Sequence, residues 1–253
     1  NMKLVVFGDS WAYGSDIDER KNNNYAKLLQ KKLNAVSVDN RAKPGISNDA
    51  IIQQLLSWSA EENHKNTFVV IGWTSPERAE IFPDTTILKD KNSSHWITLG
   101  PWIFGEWFKK SENYPIKKEY VKDVEFYYTM LRTKFSCYID WIKQLMLVQG
   151  FLQSKDISFH MHQAIYNNQH YELGHDRIPH QQGGINAKQM WDSISKGNFL
   201  NKDSTDDISL YGYLKNNEFD EEIFNPRGDH PNEYGHKLIA DLLYNDIKQK
   251  GLI

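Results

Sequence analysis

The chain of 253 residues lacks the features that mark several large classes of protein. It has a single cysteine, Cys137, so no disulfide can form within it, which is typical of proteins from a reducing compartment. Only 8 prolines, with 40% hydrophobic and 13% aromatic residues, argue against a disordered or low-complexity chain, which could not bury enough apolar surface to fold. The composition therefore predicts a globular protein.

The chain also lacks a large net charge and long apolar runs. The formal net charge is -3, without the basic excess that nucleic-acid-binding proteins usually carry. No apolar run approaches the roughly 18 residues that a membrane span needs, and the apolar segment 2–7 is too short for the core of a signal peptide. We therefore expect neither a nucleic acid nor a membrane as a partner, and a cytoplasmic location.

What is present is an alternation of short apolar strands and amphipathic helices. Continuous apolar runs at residues 3–7 and 68–71 are typical of parallel strands covered on both faces, and a further strand is predicted at 36–38. Helices are predicted between them, over residues 24–33 and 47–59, from apolar side chains spaced three and four apart. This alternation indicates a doubly wound parallel sheet, in which functional loops follow the carboxyl ends of the strands.

The rest of the chain is less regular. Residues 82–120 are aromatic and punctuated by glycine, which predicts an insertion beside the sheet. A long helical pattern, continuous or broken by a kink, covers residues 121–148; a strand is predicted at 157–161 and a long polar loop at 166–186. The last predicted helices cover residues 187–195 and 232–249. With no internal repeat or linker, we predict one domain spanning residues 1–253.

Two short motifs near opposite ends of the chain carry side chains suited to nucleophilic catalysis. Residues 8–10, Gly-Asp-Ser, follow the first predicted strand, and a serine on a strand-to-helix turn exposes its hydroxyl beside backbone N–H groups. Residues 230–232, His-Pro-Asn, precede the last predicted helix, where proline would hold the histidine in a loop over the sheet edge. A hydroxyl and an imidazole that meet at one edge could act as a nucleophile and its general base.

In order along the chain, these two motifs, with Gly45 after the second predicted strand and Gly72 after the third, resemble the four blocks of the SGNH (GDSL-type) hydrolases. The resemblance spans nearly the whole chain. It implies an α/β protein with a flavodoxin-like three-layer α/β/α sandwich, and ester or acetyl-ester hydrolysis through an acyl-serine without a cofactor or metal. It also implies that Ser10 is the nucleophile, that His230 is the general base, and that the Ser10 and Gly45 N–H groups form the oxyanion hole.

The sequence departs from the family pattern in two places. Where the family has Gly-x-Asn-Asp, residues 72–75 are Gly-Trp-Thr-Ser, so Thr74 would have to replace the asparagine in the oxyanion hole. The family's acid stands three residues before the histidine, and here that position is Arg227, which cannot accept the imidazole N–H. Asp229 is the nearest carboxylate and the predicted acid. A carboxylate from residues 220–222 and a Ser-His dyad are the alternatives.

Side chains close to these motifs are candidates for substrate contact. They are Asp9, Trp11, Trp73, Arg78 and His162. Arg78 would bind an anionic group, with an ordinary ion-paired arginine as the alternative. The aromatic insertion predicts either a sugar-stacking wall or a satellite hydrophobic cluster. His236, in the first turn of the last helix, is predicted to cap that helix or to lie on the surface.

The sequence thus predicts a serine-dependent ester hydrolase, either an esterase or a carbohydrate O-acetyl esterase, whose substrate is a small ester or an acetylated carbohydrate. The rival hypothesis is a catalytically impaired protein of the same fold that binds a glycan or a protein partner. A third hypothesis is a metal-dependent hydrolase that uses His160 and His162, but no cysteine or carboxylate completes a ligand spacing, so we predict no metal. The apolar face of residues 121–148 is expected in the core, with a homodimer interface as the alternative.

Overall fold

A computed structural model describes residues 2–61, 64–81, 97–100, 115–165, 187–202, 208–216, 222–226 and 230–253. At the centre of the fold is a four-stranded parallel sheet. Its strands are β1 (Lys3–Phe7), β2 (Ser37–Asn40), β3 (Thr67–Trp73) and β6 (Ser158–Gln163). Strands β4 and β5 form a separate pair, described below. The spatial order is β2-β1-β3-β6, and β1 pairs in parallel with both β2 and β3.

This strand order shows where a ligand would bind on the sheet. The chain moves from β1 outward to β2 and then returns to the other side of β1 to form β3. The crevice between the carboxyl ends of β1 and β3 is therefore the point where the strand order reverses, and open α/β sheets bind their ligands at such a crevice. The predicted doubly wound parallel sheet is confirmed.

Helices cover both faces of the sheet. They are α1 (Ser10–Tyr13), α2 (Arg20–Asn23), α3 (Tyr25–Lys32), α4 (Asn48–Glu61), α5 (Val121–Leu131), α6 (Lys134–Ser154), α7 (Ala187–Asp192), α8 (Leu210–Asn216) and α9 (Glu233–Gln249). One apolar core holds side chains of α4 and α6, and a second core holds side chains of α3 and α9. The result is the three-layer α/β/α arrangement that the resemblance implied.

The strand β3 shows why residues 68–71 are all apolar. All seven of its residues are buried. Val69 and Ile71 belong to the core on the α4 and α6 side, whereas Phe68 and Val70 belong to the core on the α3 and α9 side. Because successive side chains of a strand point to opposite faces, residues 68–71 face an apolar core on each side of the sheet.

The long helical pattern of residues 121–148 forms two helices, α5 and α6, and the second continues to Ser154. Thr133 separates them. Its backbone is extended, with φ -64° and ψ 154°, and its Oγ1 accepts a hydrogen bond from Ser136 N at 3.1 Å. A threonine in this role starts a new helix because it satisfies an N–H that has no partner in the first turn.

The predicted insertion is described in part. Strands β4 (Ala79–Ile81) and β5 (Ile97–Leu99) form an antiparallel pair, and a 3-10 turn at Lys118–Tyr120 leads into α5. Leu99, Ile116 and Tyr128 make a separate small cluster. Residues 82–96, 101–114 and 166–186 lie outside the described residues, so the predicted aromatic wall and polar loop remain predictions. Of the helices described, none has the length and apolar character to cross a bilayer.

Candidate active site

Ser10 lies at the carboxyl end of β1 as the first residue of the one-turn helix α1. Asp9 caps this helix, because its Oδ1 accepts a hydrogen bond from Trp11 N at 3.0 Å. Gly14, at φ 81°, ends it and donates its N–H to Ser10 O at 3.0 Å. The turn therefore fixes the backbone of Ser10 at both ends, while the residue keeps 7% of its surface exposed.

His230 reaches the same edge of the sheet from the far end of the chain. Its carbonyl accepts a hydrogen bond from Asn225 N at 2.9 Å, and Asn232 caps the helix α9 that follows. The His230 Nδ1 atom lies 2.6 Å from Asp16 Oδ2. Since a carboxylate only accepts, Nδ1 carries the hydrogen and Nε2 is the basic nitrogen of the neutral ring.

Ser10 and His230 line one pocket of about 350 Å³. The other lining residues are Trp11, Arg78, Ile165 and Tyr211. Within the part of the chain that the structure describes, no direct hydrogen bond joins Ser10 Oγ to the imidazole; such bonds often tighten only when substrate is bound. The hydroxyl and the imidazole that the two motifs supply therefore share a cavity.

A buried polar cluster lies beside Ser10. Asp9 has no exposed surface, and its Oδ2 accepts hydrogen bonds from Thr74 Oγ1 at 2.6 Å and from Arg78 Nη1 at 3.4 Å. Arg78 Nη1 also donates to Ile46 O at 3.1 Å. Burial lowers the pKa of the Arg78 guanidinium, and the charge of Asp9 opposes this and raises it. The cluster ties the ends of β1 and β3 to the segment before α4.

The segment before α4 contains Gly45, which has φ 75° and is exposed. A side chain there would be strained, since this left-handed conformation favours glycine. The Asn48 side chain accepts from Thr74 N at 2.9 Å and donates to Thr74 O at 3.1 Å. The second and third sequence blocks are thus held together, although Gly45 itself does not line the pocket.

Comparisons with solved structures bear on the fold. A putative lipolytic protein of the G-D-S-L family from Desulfitobacterium hafniense DCB-2 is similar in structure, with a TM-score of 0.50 and 12% identity over 97% of this chain and 99% of that chain. The fold is that of the SGNH hydrolases. TesA (TM-score 0.48, 13% identity, 98% of this chain and 99% of that) and the acetyl xylan esterase AlAXEase (0.46, 15%, 97% and 100%) have lower scores. Neither a family model nor a curated protein matches the sequence.

Asp16 is the candidate residue that sequence reasoning missed. The SGNH pattern places the acid three residues before the histidine, and our alternative was Asp229; both positions lie outside the described residues, so the prediction of Asp229 is untested. Asp16 is half exposed and has φ 65°. Aspartate is among the few side chains that adopt this conformation readily, so a carboxylate just after the nucleophile helix was the available signal.

Thr74 differs from its predicted role. We expected its hydroxyl to donate to the oxyanion in place of the SGNH asparagine. The structure buries Thr74 completely and gives its hydroxyl hydrogen to Asp9. A hydroxyl has only one hydrogen to donate, so in this arrangement Thr74 organises Asp9 instead of facing the pocket.

Three of the predicted substrate contacts also need correction. Asp9, Trp73 and His162 have no exposed surface, so none of them can touch a ligand without rearrangement. Trp73 packs in the core beneath α4 and α6, and His162 Nε2 lies 3.2 Å from Tyr25 OH. Asp9 contacts Arg78 and Thr74. Trp11 lines the pocket as a nearly buried wall, and Arg78 lines it too.

Three other described histidines, His160, His162 and His236, form a buried group on the α3 and α9 side. His160 Nε2 lies 2.7 Å from Asp246 Oδ2, and His236 Nδ1 accepts a hydrogen bond from Tyr25 N at 3.2 Å. The prediction that His236 lies on the surface is wrong, because the residue has no exposed surface. Its side chain accepts an N–H from the first turn of α3, not of α9. Burial lowers the pKa of His160 and His162, and that of His236 to about 3. Among the described residues, no three potential metal ligands come together.

A larger pocket, of about 530 Å³, is lined in part by Ile46. Its lining includes the charged residues Arg41, Lys43 and Glu80, together with Ser57. No histidine is among the described residues that line it. We place the candidate active site in the smaller pocket because Ser10 and His230 both line it.

Proposed function

We propose that the protein is a serine-dependent ester hydrolase of the SGNH type. Ser10 is the nucleophile, His230 is the general base, and Asp16 orients and stabilises the histidine. The observation that carries the proposal is the 2.6 Å hydrogen bond between Asp16 and His230 at the pocket that Ser10 also lines. This arrangement supplies a base with a defined tautomer next to a hydroxyl at the reversal point of the sheet.

The reaction follows from these positions. His230 Nε2 removes the Ser10 Oγ proton while Oγ bonds to the ester carbonyl carbon, which gives a tetrahedral oxyanion. The oxyanion collapses, the alcohol leaves with the proton from the imidazolium, and an acyl group remains on Ser10. Water then attacks this acyl group as His230 accepts its proton; the second tetrahedral intermediate collapses, the imidazolium returns the proton to Ser10 Oγ, and the carboxylic acid departs. Asp16 holds the Nδ1 hydrogen throughout and stabilises each imidazolium.

The pocket suggests a small substrate. A volume of about 350 Å³ is near the lower end for small-molecule sites. Trp11 and Tyr211 provide apolar walls, and their rings lie 6.3 Å apart edge to face. A short acyl group such as acetyl fits this description. An O-acetylated carbohydrate is the more specific form of the proposal, with the aromatic rings facing the sugar.

The first experiment tests the nucleophile. The purified protein should hydrolyse p-nitrophenyl acetate and react covalently with a fluorophosphonate probe at Ser10. Ser10→Ala should abolish both signals, whereas Ser15→Ala, a matched change five residues away, should keep them. Absence of hydrolysis and labelling in the folded wild-type protein, over short and longer acyl esters, would favour the rival hypothesis of a binding protein.

A second variant pair tests the carboxylate. Asp16→Asn keeps the size and the tolerance for positive φ but cannot accept the Nδ1 hydrogen in the same way. Removing this function in a buried triad costs about 10⁴-fold in kcat, and for the half-exposed Asp16 we expect a loss of about 10²-fold or more. Asp18→Asn, in the same loop and exposed, should leave kcat unchanged. Equal rates for the two variants would remove Asp16 from the mechanism.

A further inference from the structure

We infer that Arg78 donates a hydrogen bond to the oxyanion of the tetrahedral intermediate, in the place that an asparagine occupies in the SGNH pattern. The inference rests on the proposed function, since it assigns a role in that reaction. It replaces the weaker sequence prediction that Arg78 holds an anionic group of the substrate. Three observations carry it: the bond that Thr74 makes, the position of the guanidinium, and its charge.

The first observation is that Thr74 is engaged elsewhere. The SGNH pattern needs a third donor after β3, and Thr74 stands at that position. Its hydroxyl hydrogen goes to Asp9 Oδ2 at 2.6 Å, and the side chain has no exposed surface. Another group has to complete the oxyanion hole if the hole has three donors.

The second observation is where the guanidinium lies. Arg78 Nη1 contacts Asp9 Oδ2 at 3.4 Å and Ile46 O at 3.1 Å. Asp9 directly precedes Ser10, and Ile46 directly follows Gly45, so the guanidinium is held between the two segments whose N–H groups are the other expected donors. The Arg78 side chain also lines the pocket together with Ser10 and His230.

The third observation concerns charge. A guanidinium keeps its proton in proteins and carries five N–H donors in one plane. The Arg78 side chain is only 11% exposed, and in such a position its charge acts on a developing oxyanion with little screening by water. Asp9 Oδ2 accepts from Nη1 only, so the other N–H groups of the guanidinium are the ones proposed to face the oxyanion.

The experiment measures kcat and KM separately for p-nitrophenyl acetate with Arg78→Ala and Arg78→Lys. Loss of one oxyanion donor costs about 10²–10³-fold in kcat, and we expect this loss in Arg78→Ala with KM changed by less than about threefold. Arg78→Lys, which keeps the charge but not the planar donors, should lie between Arg78→Ala and the wild type. Added methylguanidinium at millimolar concentration should restore part of kcat to Arg78→Ala.

Arg41→Ala is the matched control, because Arg41 pairs with Asp39 and lines the other pocket. It should keep the wild-type kcat and show no response to methylguanidinium. Thermal melting curves identify any variant that does not fold, and Arg78→Lys then carries the test. A wild-type kcat in folded Arg78→Ala or Arg78→Lys would overturn the inference.

The remaining outcomes separate the inference from the proposed function. A rise in KM confined to anionic esters, with kcat unchanged, would overturn the inference and give Arg78 the substrate-binding role. Wild-type protein that neither hydrolyses esters nor reacts with the fluorophosphonate would instead overturn the proposed function itself. Active wild-type protein with Arg78 variants that lose kcat and respond to methylguanidinium would support both.

Discussion

Four of the described histidines lie in two contrasting environments. His230 stands at the edge of the sheet with about a third of its side chain exposed, and it pairs with the half-exposed Asp16. His160, His162 and His236 have no exposed surface and lie on the side of the sheet covered by α3 and α9. The first histidine has water and a pocket beside it, and the other three have neither.

The difference shows that burial, more than residue type, decides what a histidine can do here. Desolvation disfavours the imidazolium, so the pKa values of the three buried rings are lowered and these rings stay neutral near pH 7. A ring that cannot take up a proton cannot serve as a general base. Only a partly exposed ring with a carboxylate partner can cycle between its two charge states during a reaction.

The largest expected effect is on catalysis. His230→Ala removes the base, and we expect kcat/KM for p-nitrophenyl acetate to fall at least about 10⁴-fold while the melting temperature changes little. His160→Gln, which alters a buried ring, should retain activity per folded molecule. A larger loss of kcat/KM in folded His160→Gln than in His230→Ala would break the comparison.

The next effect is on stability. His162→Ala removes a fully buried ring and leaves Tyr25 OH without its 3.2 Å partner. We expect the free energy of unfolding to fall by about 2–4 kcal/mol, from the cavity and the lost hydrogen bond. Urea unfolding followed by fluorescence measures this change. His230→Ala is the control, and a stability loss of similar size there would contradict the distinction between the two environments.

Much of this contrast could not be predicted from the sequence, although the framework could. β1, β3 and the serine turn were identified correctly because each depends on neighbouring residues: a continuous apolar run, then a glycine and a capping aspartate. The single strands and helices follow from such local patterns. Together with the order of the SGNH blocks, these patterns predicted that Ser10 and His230 lie at the same edge of the sheet.

The partner of His230 could not be predicted from the sequence, because local patterns do not show which distant residues come into contact. Asp16 is 214 residues away in the sequence, and the contact depends on how two loops meet over the sheet. His236 was assigned to a cap or the surface because its position in the first turn of α9 says nothing about what covers it. The hydrogen bond from Tyr25 N to His236 shows that α3 provides this cover. Loop conformation and helix packing are properties of the whole fold.

A smaller effect links the buried rings to pH. The pKa of His236 is about 3 in the folded protein against 6.5 for the free side chain. Below about pH 6.5 this ring is protonated in the unfolded chain but stays neutral in the folded protein. The free energy of unfolding therefore falls as the pH falls, by about 1.4 kcal/mol per pH unit from this ring. The contribution of His236 to the free energy of unfolding is fully present above pH 6.5, and it is lost progressively down to about pH 3.

His236→Asn tests this linkage, because an asparagine oxygen can replace Nδ1 as the acceptor for Tyr25 N. Urea unfolding at about pH 7 and about pH 5 should show that the wild-type protein loses roughly 2 kcal/mol more than the variant over this interval. All other titratable groups are the same in both proteins, so the difference between the two losses measures the contribution of His236. Equal losses would show that this ring is protonated in the folded state.

The smallest effect concerns the exposed pair. The hydrogen bond between Asp16 and His230 joins side chains that are 49% and 30% exposed, and ion pairs at such surfaces contribute only about 0–1 kcal/mol to stability. We therefore expect Asp16→Asn to change the free energy of unfolding by less than about 1 kcal/mol while it lowers kcat. Urea unfolding at low and high salt measures this. A stability loss as large as that of His162→Ala would mean that Asp16 is structural, and that the lower kcat reflects a disturbed loop.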